Sequence, residues 1–256
     1  MTKEYSPFTP GVPVPIDFFV GRINELRTLT EKAKVAAQGR LQRVFVYGER
    51  GIGKSSLCWM ARVLAERESH VLGIHVFLGG VTSLTEMARR IFDKLLKDSV
   101  DRPWYDKVKS FLGKHVKEVS LFGEFSPFSV NIEFKADEKE LEHLVNGFAI
   151  SLGNLMGQLK DTKKGLMIIL DDINGLANSS EFANWMKSLV DEIATSDQPL
   201  PLLLVLVGLP ERRNQLFQSQ PSLARVFDPI EIKKLSKEET GEFYQQSFSD
   251  FHWRQL

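Results

Sequence analysis

With Cys58 as its only cysteine, the 256-residue chain has no intrachain disulfide framework, and a reducing compartment is expected. Neither sign of charge is in excess: Lys plus Arg and Asp plus Glu both number 33, for a formal net charge of zero. That balance gives no support to a constitutive nucleic-acid binder, although a local basic patch is compatible with it. No apolar run reaches the roughly 18 residues that a membrane span requires. The longest candidate, Leu200 to Leu209, contains Pro201 and suits a buried strand. Residues 1–15 carry Pro7, Pro10, Pro13 and Pro15 but not the apolar core of a signal peptide, so an extended arm on a cytoplasmic protein is expected. Internal repeats and low-complexity segments are missing. His70, His75, His115, His143 and His252 show no metal-ligand spacing, which leaves them solvated or core roles.

What is present suits a folded globule: 43% hydrophobic and 26% charged residues suffice for a substantial core. Leu26, Leu29, Ala33 and Ala37 recur on one side of a helix that Gly39 closes. Val44 to Tyr47, Val71 to Leu78, Leu166 to Leu170, Leu202 to Val207 and Ile230 to Ile232 are short apolar runs that predict strands. Ser83-Leu84-Thr85-Glu86 has the form of a capping box, in which the hydroxyl accepts an amide proton while the glutamate reaches back. It opens a helix with Met87, Ala88, Ile91, Phe92 and Leu95 on one face. From Asp101 to Phe134 the helical pattern breaks down, and the segments flanking Gly123 and Pro127 predict a β-hairpin. Asp137 starts one long helix running through Leu141, Val145, Phe148, Leu152 and Leu159. Another begins near Ser180, with Trp185, Met186, Leu189 and Val190 as core, and Ser236-Lys237-Glu238-Glu239 opens a last one. Strands alternating with helices predict an α/β fold whose parallel sheet is covered on both faces. The expected organisation is an arm over 1–15, a core over 16–234 with the hairpin inserted at about 117–135, and the start of a helical lid over 235–256.

Between the first apolar run and the helix that follows stands Gly48-Glu49-Arg50-Gly51-Ile52-Gly53-Lys54-Ser55, a complete G-x-x-x-x-G-K-[ST] pattern. Glycines let such a loop curl until its backbone amides face a polyphosphate, and the next helix presents its positive end. Lys54 supplies a point charge for the β and γ phosphates and the Ser55 hydroxyl a magnesium ligand, and the candidate phosphate site runs from Gly48 to Ser56.

The run Leu166 to Leu170 ends in Asp171-Asp172. A carboxylate at the carboxyl end of a parallel strand lies beside such a loop, so Asp171 is the candidate for holding magnesium. Asp172 is the candidate for orienting or deprotonating an attacking water.

Together with the box Phe19-Val20-Gly21-Arg22 and its Glu25 and Leu26, these features resemble the AAA+ and STAND class of ATPases over about Ile16 to Phe248. The nearest likeness is to origin-recognition-like AAA modules and prokaryotic STAND ATPases. The resemblance implies a three-layer α/β/α P-loop fold with a five-stranded sheet of order 5-1-4-3-2, with strand 1 at Val44, strand 3 at Leu166 and strand 4 at Leu202. It implies ATP or ADP with Mg2+ as ligands, hydrolysis of ATP to ADP and phosphate, and a homo-oligomer or larger assembly. It places Phe19, Val20 and Gly21 against adenine, with Arg22 and Glu25 fixing the turn; a helix entry whose aromatics fill the core is the alternative. Arg225 falls where relatives carry an arginine finger that acts on a neighbour's nucleotide, with Arg212 and Arg213 as competitors.

Three departures stand out. The end of strand 4, Val207-Gly208-Leu209-Pro210, lacks the polar sensor usual in the family, for which Glu211 or Arg212 are substitutes. The second acid is Asp172 where many active members have Glu. The chain ends at Leu256, after one lid helix, before the family's second sensor arginine. Three functions compete: an ATPase driving conformational change, a nucleotide-gated switch or scaffold with little turnover, and a DNA-associated module resting on analogy alone.

Overall fold

The structure, a computed structural model, describes residues 19–123 and 126–253. The expected arm over 1–15, Ile16 to Phe18 and the end at Leu256 lie outside the described residues.

The described chain runs α1 (Ile23–Ala37), β1 (Gln42–Tyr47), α2 (Lys54–Ser69), β2 (Val71–Phe77), α3 (Leu84–Ser99), α4 (Tyr105–Leu112), β3 (Val116–Gly123), β4 (Ser126–Phe134), α5 (Glu138–Asn146), α6 (Phe148–Leu159), β5 (Gly165–Asp171), α7 (Ser180–Thr195), β6 (Leu202–Gly208), α8 (Pro210–Ser219), α9 (Leu223–Val226), β7 (Asp228–Glu231) and α10 (Lys237–Trp253). Five strands form one sheet in the order β2-β5-β6-β1-β7, and all of its pairs are parallel. Counting only these five strands along the chain, the order reads 5-1-4-3-2 from the β7 edge, as the resemblance implies.

Every residue of β5 and β6 is buried, which is why their sequences are unbroken apolar runs rather than alternating ones. On one face Val44, Val46, Met167, Ile169, Leu203, Val205 and Val207 pack against Leu29, Ala33 and Ala36 of α1 and Leu57, Cys58 and Ala61 of α2. On the other, Phe45, Ile168, Leu170, Leu204 and Leu206 share a core with residues of α3 to α8. Strands β3 and β4 form a separate antiparallel pair, from Val116 opposite Phe134 to Gly123 opposite Ser126.

Local chemistry sets the helix starts. Ser236 and Glu239 exchange reciprocal bonds, Ser236 N to Glu239 Oε2 at 2.8 Å and Glu239 N to Ser236 Oγ at 3.1 Å, a full capping box. Asp137 and Glu140 make another. At Ser83 only half of the expected box forms: Glu86 N donates to Ser83 Oγ, but the Glu86 carboxylate turns to Arg89 and Arg90.

Three further expectations are corrected. The single long helix after Asp137 is two helices, α5 and α6, broken at Gly147. The Trp185 indole donates to the Val145 carbonyl (3.0 Å), a group that a continuous helix would need for its own ladder. The stretch after Asp101 contains α4, which buries Val108 and Leu112. The last strand is Asp228–Glu231; Ile232 lies just past it and still donates its amide to Tyr47 O at 2.7 Å.

Candidate functional site

Strand β1, lying between β6 and the edge strand β7, delivers the chain to Gly48 at the carboxyl edge of the sheet. A Cβ at Gly48 would lie 2.5 Å from the Ile232 carbonyl oxygen, so only glycine fits against the backbone just past β7. Gly51 (φ 76) and Gly53 (φ 99) then take left-handed conformations that curl the loop, with no atom within 4 Å of where their Cβ would stand. Gly53 caps α2 without a side-chain hydrogen bond, and the first turn of α2 holds no acidic residue. The positive helix end is thus left for an external anion. Glu49, Arg50, Gly51 and Gly53 are exposed and Ser55 is half-buried, whereas Ser56 is buried. Ile52 packs its side chain on the core beneath.

Lys54 Nζ reaches back across the loop and donates to Gly48 O (2.8 Å) and Glu49 O (2.7 Å). Partial burial lowers its pKa, while Asp171, Asp172 and, more weakly, Glu211 draw it upward. The ammonium therefore stands in the field of the strand-end carboxylates, the charge arrangement a magnesium-polyphosphate group would meet.

Asp171 closes β5 and is 3% exposed; its Oδ2 accepts from His75 Nε2 at 2.8 Å. Its charge also helps burial push the Cys58 thiol on α2 well above its ordinary value. Asp172 is half-buried and sits in the left-handed region at φ 58. Its Oδ1 accepts from the Asn174 amide, and its Oδ2 would lie 3.0 Å from a Cβ at Gly79. Asn174 Oδ1 in turn accepts from Leu209 N at 3.3 Å. The side chains of Asp172 and Asn174 thus link the turn after β5 to the end of β6, where Val207 to Pro210 offer no polar side chain.

The Phe19 to Arg22 box joins the same site. Gly21 (φ 72) and Arg22 (φ 58) are both left-handed, and Arg22 opens α1. Arg22 Nη2 donates to Ile52 O (3.4 Å), and Arg22 N donates to Glu239 Oε1 (3.2 Å), so the box touches both the phosphate loop and α10. Phe19 packs on the α1–α2 core beside Leu26, and Val20 is half-buried.

Of the three arginines weighed as a finger, Arg212 is held by Asn178 (2.7 Å) and Gln215 (2.9 Å). Arg213 lies between the rings of Tyr47 and Phe217, 4.8 Å from each centroid. Arg225, on α9, is exposed, and among the described residues its guanidinium has no hydrogen-bond or ion-pair partner.

Two residues at the site escape sequence reasoning about function: His75, assigned a solvated or core role, and Asn174. The available signals are a lone polar side chain inside the apolar run Val71 to Leu78, and an amide two residues after an Asp-Asp pair. Among the described residues no group of three or more His, Cys, Asp or Glu side chains forms a self-sufficient metal site. No helix among the described residues is long and apolar enough to cross a membrane.

A sequence model of the AAA ATPase domain family matches residues 19–217, a span that takes in the loop, Lys54 and both strand-end aspartates. The chain belongs to that family. An ATPase-type, nucleotide-binding function follows for this AAA ATPase domain. It is 22% identical over 258 residues to an uncharacterized HTH-type transcriptional regulator of Methanocaldococcus jannaschii, covering 97% of this chain and 58% of the relative. The Aeropyrum pernix ORC2 protein, solved as ADPNP-ADP complexes, superposes with a TM-score of 0.60 at 14% identity, covering 95% of this chain and 55% of that one. The Walker-type ATPase paby2304 of Pyrococcus abyssi gives 0.57 at 18%, covering 96% and 63%. The A. pernix ORC1 protein, solved in complex with DNA, gives 0.53 at 14%, covering 91% and 50%. The AAA ATPase domain described here therefore spans between half and two thirds of these proteins, and the likeness to origin-recognition folds confirms its architecture.

Proposed function

We propose that this chain binds ATP with Mg2+ at the loop from Gly48 to Ser56 and hydrolyses it to ADP and phosphate, driving conformational change or assembly in an oligomer. The observation that carries this reading is the meeting of three elements at one sheet edge: the uncapped start of α2, the Lys54 ammonium and the Asp171 and Asp172 carboxylates that act on it. In this reading the loop amides and Lys54 hold the β and γ phosphates, while Ser55 and Asp171 hold the metal. Asp172 orients the attacking water, and Phe19, Val20 and Gly21 lie along the adenine. Bound Mg2+ supplies neutralisation of charge on the β and γ oxygens. Arg225 reaches a neighbouring subunit's nucleotide; its exposure and its lack of a side-chain partner among the described residues support it over Arg212 and Arg213.

Steady-state ATPase activity measured against protein concentration tests the reading. Specific activity is expected to rise with assembly, and Arg225→Ala to abolish the rise, since a finger supplied in trans is worth about 10³ to 10⁵ in rate. A wild-type activity independent of concentration would remove the trans finger.

One observation favours a second reading, a nucleotide-gated switch with little turnover. The Asp172 carboxylate is tied within its own turn by Asn174 at Oδ1, and its Oδ2 lies against Gly79, which limits the acceptor sites left to orient a water. Nucleotide-dependent assembly without measurable phosphate release would favour that reading over the first.

A further inference from the structure

His75 sits within β2, opposite Ile169 of β5 in the ladder, which places Asp171 two residues further along β5 on the same face. That face is the one covered by α1 and α2. The His75 and Asp171 side chains are 3% and 4% exposed, and the 2.8 Å contact joins Nε2 to Oδ2. Phe77 stacks on the imidazole at 4.7 Å and 21°, shielding one face of the ring at this edge strand. The other ring nitrogen, Nδ1, is buried with no hydrogen-bond partner among the described residues.

These facts select a tautomer. A carboxylate only accepts, so the shared hydrogen belongs to Nε2. The opposite tautomer would set a lone pair against the carboxylate and bury an orphan N–H at Nδ1, leaving two groups unsatisfied in place of one lone pair. Strand pairing does not require the contact, because β2 and β5 are already joined by a seven-residue backbone ladder from Val71 to Phe77.

We propose that His75 is the positioning residue for the metal-binding aspartate. By donating Nε2–H to Oδ2 it fixes the rotation of the Asp171 carboxylate and leaves Oδ1, which has no donor among the described residues, to face a divalent cation bound with the phosphates. This inference rests on the proposed metal role of Asp171.

Equilibrium binding of a fluorescent ATP analogue to the full chain, with and without Mg2+, tests it and needs no turnover. Removing an outer-shell partner of a metal ligand typically costs about 10- to 100-fold in metal affinity. In His75→Leu the affinity gained on adding Mg2+ is accordingly expected to fall by that factor, with metal-free affinity unchanged. His75→Gln, whose amide N–H has the reach of Nε2, is expected to restore most of the gain. An undiminished Mg2+ gain in His75→Leu overturns the proposal. So does an equal loss of metal-free and metal-dependent binding, or a His75→Gln no better than His75→Leu. Asp171→Asn separates the two levels: if it keeps the full Mg2+ gain, the metal role of Asp171 fails, and the positioning role with it. Should His75→Leu not fold, ¹⁵N-histidine NMR of the wild-type chain decides. The Nε2–H tautomer is expected, and an Nδ1–H tautomer overturns the proposal.

Discussion

The phosphate loop and the turn after β5 face each other across the site, yet they are built in opposite ways. The loop is held by its own residues: left-handed glycines at 51 and 53, and a Lys54 that bonds to carbonyls five and six positions back. The turn is held from afar: Asp171 by His75 of β2, 96 residues away in sequence, and Asn174 by the Leu209 amide past β6. Asp172 adopts a left-handed backbone that costs a non-glycine residue about 1–2 kcal/mol, although Asp tolerates it better than most. A locally held glycine loop thus stands opposite an acidic element whose geometry depends on three strands. Two adjacent aspartates thereby come to differ, one locked and buried, the other half-buried and tethered.

Three substitutions test that contrast. In the turn, Asp172→Asn is expected to keep nucleotide affinity and lower turnover by about 10²- to 10⁴-fold, the usual worth of a positioned general base. Phosphate release measured beside equilibrium binding checks this, and undiminished hydrolysis would take Asp172 out of the mechanism. In the loop, Lys54→Ala removes one charge-assisted contact of about 1.5–3 kcal/mol, so triphosphate affinity should drop about ten- to a hundredfold. Unchanged binding in a titration would contradict the site. Asn174→Ala sharpens the comparison most finely. Losing one tether of about 0.5–1.5 kcal/mol should change turnover about two- to tenfold while affinity stays constant. If turnover rises, the tether is a brake; if it falls, Asn174 orients Asp172 for catalysis; no change would leave the Asn174 bridge without effect on turnover.

Much of the fold is legible in the sequence because buried parallel strands need apolar runs, and Val44 to Tyr47, Leu166 to Leu170 and Leu202 to Val207 are such runs. The start of α10 is equally visible, since Ser236 and Glu239 are three residues apart and need no third partner. Other features are less visible. The break between α5 and α6 depends on a tryptophan from α7 taking the Val145 carbonyl, a contact across 40 positions that leaves no local mark beyond Gly147. Helix α4 is only eight residues long and escapes a periodicity reading. At Ser83, the arginines on the next turn outcompete the cap for Glu86.

By itself the sequence determines the curled glycine loop, because glycine spacing, one lysine and a following helix act over a few bonds and carry their geometry with them. It also determines the buried strands β5 and β6, since burial on two faces demands apolar residues at successive positions. Only the tertiary structure decides which polar side chains meet the carboxylates. A hydrogen bond forms wherever folding brings donor and acceptor to about 3 Å, and His75 and Asn174 gain their places from the side-by-side order of β2, β5 and β6.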